Sequence, residues 1–144
     1  CTVTPTENSD AAVVDAVEKF WQTLGARTVR LSPEAHDAVV ARTSHLPHVL
    51  ATALVHCVLG KAENRETEFC ATGFRDATRL ADGSTPMWRD IALANPAAIK
   101  AAVKDMQSEL DELCAALDAK DAAALEKFFE DGRALRGEWL SRES

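Results

Sequence analysis

Three of the four histidines in this 144-residue chain lie in one stretch, His36 to His48, which reads His-Asp-Ala-Val-Val-Ala-Arg-Thr-Ser-His-Leu-Pro-His. Imidazole changes charge near neutral pH and serves as acid, base, metal ligand or hydrogen-bond partner. A helix capped by Ser32, with Pro33 in its first position and Glu34 facing the positive dipole end, is expected to carry the stretch. Side chains on it advance by about 100° per residue, which places Asp37, Ser44 and His48 within roughly 20–40° of one another, with Ala41 between them. Pro47 removes an amide donor, so the helix should kink or restart there. For Ser44 and His48 two readings stand: a polar pair that binds a small molecule, or groups that satisfy a kinked helix. For His45 the second is preferred. His45 and His48 are spaced to share a metal, but no acidic or cysteine ligand accompanies them at metal spacing, and no metal site is expected.

A second cluster comprises Arg75, Asp76, Thr78 and Arg79. As a solvated helix face it would carry an ion pair worth ~0.3–0.5 kcal/mol. As a functional group, Arg79 offers a permanently charged fork for a carboxylate, and Trp88 could wall such a site or belong to the core. Spacing does not choose between these.

The elements that must position these residues follow in order. Residues 1–4 alternate as a strand, Asn8 or Ser9 is placed to cap a helix closed by Gly25, and residues 27–31 form a second strand. Strand, helix, strand is a βαβ unit, whose strands are expected to pack on helices or pair across a dimer. From Ser32 on, the pattern is helical. Residues 61–68 read as a polar loop or frayed turn, Asp82-Gly83-Ser84 as a break, and Thr85-Pro86 and Asn95-Pro96 as helix starts. Ile99, Val103, Met106, Leu110, Leu113 and Leu117 then form a seam answered, after Lys120-Asp121, by Leu125, Phe128, Gly132, Leu135 and Trp139. Two such seams predict an antiparallel hairpin, and apolar residues off the seam (Phe129, Leu140) predict a homodimer.

The bulk properties narrow the partners. A net charge of −7 and a pI near 5.1 argue against nucleic acid and anionic membrane. No apolar run approaches the ~20 residues of a membrane span. The cysteines, Cys1, Cys57, Cys70 and Cys114, form no C-x-x-C and read as reduced thiols of a cytoplasmic protein. Cys1 as the first residue, with no Met, suggests a fragment or a processed chain.

The order His36-Asp37, Ser44-His45-Leu46-Pro47-His48, Gly73-Phe74-Arg75-Asp76-Ala77-Thr78-Arg79, Pro86-Met87-Trp88-Arg89-Asp90-Ile91 and Asn95 resembles the C-terminal half of the prephenate dehydrogenase family, with its arogenate-using relatives. The resemblance covers essentially the whole chain. It implies a mainly α fold: residues 1–32 as the β-α-β remnant of a Rossmann cofactor domain, and residues 33–144 as a helical dimerisation and substrate-contact domain. It implies oxidation and decarboxylation of prephenate or arogenate with NAD(P)+ in tyrosine biosynthesis. By the same resemblance Arg79 pairs with a substrate carboxylate, Ser44 and His48 hydrogen-bond substrate, and His36, Gly73 and Trp88 line or support the pocket. Arg75 and Asp76 join an ionic network. No G-x-G-x-x-G loop is present and none of these histidines matches the family's catalytic one, so this stretch is expected to hold no cofactor and to be inactive alone. The rival expectation is a helical interaction module that binds no substrate.

Overall fold

The computed structural model describes residues 1–60 and 65–143. Its elements are β1 (Thr2–Val3), α1 (Ala11–Thr23), β2 (Val29–Arg30), α2 (Pro33–Val40), a π-helical turn (Ala41–His45), α3 (Leu46–Leu59), α4 (Arg65–Glu68), α5 (Thr72–Thr78), a 3-10 turn (Arg79–Asp82), α6 (Thr85–Ala94), α7 (Pro96–Ala119) and α8 (Ala122–Glu143). The fold is mainly α, as the patterning predicts. Two compact units divide it, Cys1–Ala102 and Val103–Ser144. Of the polar segment at 61–68, residues 61–64 lie outside the described residues, and Arg65–Glu68 is one helical turn.

In the first unit, β1 and β2 pair with each other in parallel, Thr2 opposite Val29 and Val3 opposite Arg30. The expectation that these strands pair elsewhere gives way to the simplest solution, in which α1 is the crossover between neighbours. The cap of α1 is Asp10, not Asn8 or Ser9: its carboxylate accepts from the amides of Ala12 (2.8 Å) and Val13 (3.2 Å). Ser9 is occupied one turn earlier, where its hydroxyl accepts from the Thr6 amide at 2.9 Å. At the other end Gly25 takes φ 85°, and the amides of Gly25 and Ala26 bond back to Gln22 and Trp21, a Schellman closure. Arg30 reaches from β2 to α1 and donates to both carboxylate oxygens of Glu18 and to Asp15. The hydrogen bond from Arg30 holds the Glu18 carboxyl below its usual range.

The cap of α2 is as expected, with Ser32 Oγ accepting from the Ala35 amide at 3.1 Å. The break near Pro47 takes a specific form. Proline has no amide to continue the α-ladder, and the chain absorbs the loss one turn early: the Leu46 amide bonds to the carbonyl of Ala41, five residues back. The α-helical angle count from Asp37 to His48 therefore does not apply across this turn. Ser44 is exposed and His48 is buried. Downstream, α3 packs on the π turn, the 3-10 turn and α5. Asn95, at the junction of α6 and α7, is buried and donates through Nδ2 to the carbonyl of Asp37 at 2.8 Å.

In the second unit, Lys120 adopts φ 50° in the left-handed region. Its amide bonds to Leu117 and that of Asp121 to Ala116, again a Schellman closure. Asp121 then caps α8 through bonds of 3.1 Å from Ala123 and Ala124. The expected break at Lys120-Asp121 is thus a helix stop and a helix start in two residues. On the seam Val103, Met106, Leu113, Leu125 and Phe128 are half-buried, whereas Leu110, Leu117, Leu135 and Trp139 stay exposed.

Among the described residues the buried apolar side chains are Val14, Ala41, Ala51 and Ala102. No described helix is long and apolar enough to cross a membrane.

Candidate functional site

Trp88 sits on α6 because Pro86 starts that helix after the turn at Gly83 and Ser84. His48 sits on α3, in the first turn after the π-helical segment. The two rings stack with centroids 3.6 Å apart and planes 9° from parallel. His45 meets the same indole edge-on, at 6.1 Å and 87°. Aromatic pairs of this kind contribute about 0.5–1.5 kcal/mol beyond the area they bury. Thr52 Oγ1 donates to the carbonyl of His48 at 3.0 Å, one turn along α3. Burial pushes the His48 pKa below the ordinary histidine value, so its imidazole is neutral at pH 7.

The stack forms part of the wall of a cavity of about 500 Å³ within the first unit. Val49, Ala53, Ile91, Ala92 and Ile99 make its apolar lining, and His45, His56, Thr52, Thr85 and Arg89 supply polar groups. The Nδ1 atom of His45 is buried without a hydrogen-bond partner among the described residues. Such a chamber is sized for a small organic molecule with few polar groups. Among the described residues no cluster of three or more His, Cys, Asp or Glu could hold a metal ion, and all four cysteines are free.

Of the residues singled out from sequence, the structure brings His48 and Trp88 together on this wall. Ser44 is exposed on the π turn and Arg79 is exposed at the start of the 3-10 turn, both outside the cavity lining. His36 is half-buried, its Nδ1 3.1 Å from Asp37 Oδ1. Gly73, Arg75 and Asp76 are exposed on α5. A Cβ at Gly73 would meet nothing within 4 Å. Sequence reasoning gave no site role to Thr52 and His56, which carry no motif, and read Gly83 only as part of a break.

Residues 32–131 match the family model described as prephenate dehydrogenase, dimerization domain. The chain belongs to the prephenate dehydrogenase dimerization-domain family. It is 33% identical over 137 residues to the cyclohexadienyl dehydrogenase of Zymomonas mobilis, covering 93% of this chain and 47% of that protein. The prephenate dehydrogenase of Bacillus subtilis is 34% identical over 137 residues, covering 93% of this chain and 37% of its own length. Among solved structures, prephenate dehydrogenase from Aquifex aeolicus in complex with hydroxyphenyl propionate and NAD+ superposes with a TM-score of 0.89 at 29% identity. That match covers 95% of this chain and 49% of the other. The chain thus spans half or less of the length of these dehydrogenases, and the dimerization-domain match begins at residue 32, beside the Ser32 cap of α2.

Proposed function

We propose that this chain is the C-terminal part of a cytoplasmic prephenate or arogenate dehydrogenase of tyrosine biosynthesis, where it supplies the dimer interface and part of the substrate pocket. Residues 1–32 are the tail of the cofactor domain and residues 33–144 the helical domain. The observation that carries the reading is the His48–Trp88 stack on the wall of an apolar cavity, in a chain of this family. The hydroxyphenyl propionate complex of the Aquifex relative supports a ring-bearing carboxylate as the ligand class. Trp88 and the neutral imidazole of His48 offer a flat wall and a hydrogen-bonding edge to such a ring. Arg79 and Ser44 lie outside the cavity lining, and their proposed roles, a charge for the carboxylate and a hydroxyl, rest on the family resemblance, as does the surrounding support from His36, Gly73, Arg75 and Asp76.

In the complete enzyme NAD(P)+ would supply the hydride acceptor of this reaction class. The residues present do not fit its pyrophosphate. In this chain's own βα unit the first free amides of α1 are taken by the Asp10 carboxylate, which also places negative charge where a phosphate would lie. The glycine-rich cradle must come from other residues of the full-length protein, and hydride transfer is outside what this chain does by itself. The apolar residues left exposed on the α7–α8 hairpin support a second copy as the partner.

Arg79→Ala in the full-length enzyme tests the reading. Loss of a charged pair should cost about 2–4 kcal/mol in transition-state binding, seen as a higher KM for prephenate with the fold intact. An unchanged KM would favour a helical interaction module instead.

A further inference from the structure

Gly83 sits between the 3-10 turn and α6 with φ −63° and ψ 155°, a backbone conformation open to any residue. Dihedral freedom therefore does not explain a glycine here. Space does. A Cβ at this position would lie 2.5 Å from Trp88 Nε1, 2.8 Å from Trp88 Cδ1 and 2.8 Å from His48 Cε1. All three are ring atoms of the stacked pair, and neither ring has a flexible end that can swing aside while the stack persists. Among the other glycines, Gly25, Gly73, Gly132 and Gly137 would meet nothing within 4 Å, and Gly60 would meet only the backbone of its own helix. The contact at Gly83 is thus specific to the site.

We propose that Gly83 is a positioning residue for the ligand pocket: its bare Cα is the stop against which the His48 and Trp88 rings register, and any side chain there forces them off the cavity wall. This rests on the reading of the pocket as a substrate site for its kinetic consequence, but not for its structural one. A methyl group inserted into occupied space is relieved by displacing side chains or backbone, and here the side chains displaced are the two that face the ligand. The other titratable or charged groups on the cavity wall are His45, His56 and Arg89, none of which approaches the Gly83 position within the distances above.

The test is Gly83→Ala in the full-length protein, alone and with Trp88→Leu. Histidine-resolved NMR titration should show the His48 pKa moving back up toward the ordinary value as the ring leaves its buried position. The KM for prephenate should rise by about tenfold with kcat changed far less, a figure at the lower end of overpacking penalties. In the Trp88→Leu background, where two of the three contacts are gone and only that with His48 remains, adding the methyl should have a clearly smaller further effect. Gly83→Ala failing to fold while the double variant folds supports the same clash. The proposal is overturned if His48 titrates alike in wild type and Gly83→Ala, if the KM penalty is the same in both backgrounds, or if the double variant also fails to fold. Absence of prephenate turnover by the unsubstituted enzyme would defeat the functional reading alone, since the titration still judges Gly83.

Discussion

The imidazole of His48 and the indole of Trp88 lie face to face at 3.6 Å, one from α3 and one from α6, and each shields the other from water. Stacking takes water from one face of the imidazole, and the residue as a whole is buried. Burial accordingly lowers the His48 pKa. The unfolded chain takes up its proton first as pH falls below about 6.5. The stabilisation from neutral His48 is therefore complete above that pH and is lost as pH falls through the lower folded value. Thermal unfolding followed between neutral and mildly acidic pH should show this loss, and His48→Asn should flatten that part of the curve. Parallel curves for the two proteins would count against it.

Asn95 holds the α6–α7 junction to the carbonyl of Asp37, in the last turn of α2. Asn95→Ala should destabilise the protein by about 1 kcal/mol, the cost of one buried hydrogen bond to a carbonyl that keeps its bond from the Ala41 amide. Chemical denaturation measures it. Near-UV circular dichroism should change as well, because α6 carries Trp88.

Lys120 occupies the left-handed position that closes α7, where glycine has no steric penalty. Lys120→Gly should raise stability by about 0.5–1 kcal/mol, with a higher melting temperature and unchanged helicity. A destabilised variant would mean that the lysine side chain makes a contact worth more than the strain.

Leu135 is 67% exposed and Trp139 54% exposed, on a helix whose apolar residues outnumber what its hairpin partner covers. Leu135→Glu should shift sedimentation from dimer toward monomer, by placing a charge where a partner surface would have to desolvate it. Retention of the dimer at the same concentration would move the interface to another face.

What was legible in the sequence was mostly local. Ser32-Pro33, Thr85-Pro86 and Asn95-Pro96 announce helix starts because caps and first-turn prolines act within a few residues, and Lys120-Asp121 marks the hairpin for the same reason. Asp10 was missed as the cap of α1 because Asn8, Ser9 and Asp10 are chemically equivalent for the role, and only the Thr6 contact removes Ser9 from the competition. The π turn was not legible. Pro47 predicts that the ladder fails, but not that an extra residue is taken up before it, so the α-helical count that groups Asp37, Ser44 and His48 does not reveal that Ser44 is exposed and His48 buried. Nor could spacing reveal that α6 lays Trp88 on His48, or that Gly83 stands where a methyl would strike both.

The chain keeps few large side chains to itself: no large side chain in the described residues is fully buried, and three of the four buried apolar residues are alanines. Closing the exposed apolar faces over a second copy would add to the stability of such a molecule. Its melting point should then rise with protein concentration, and dilution by itself should loosen the ligand chamber before any residue is changed.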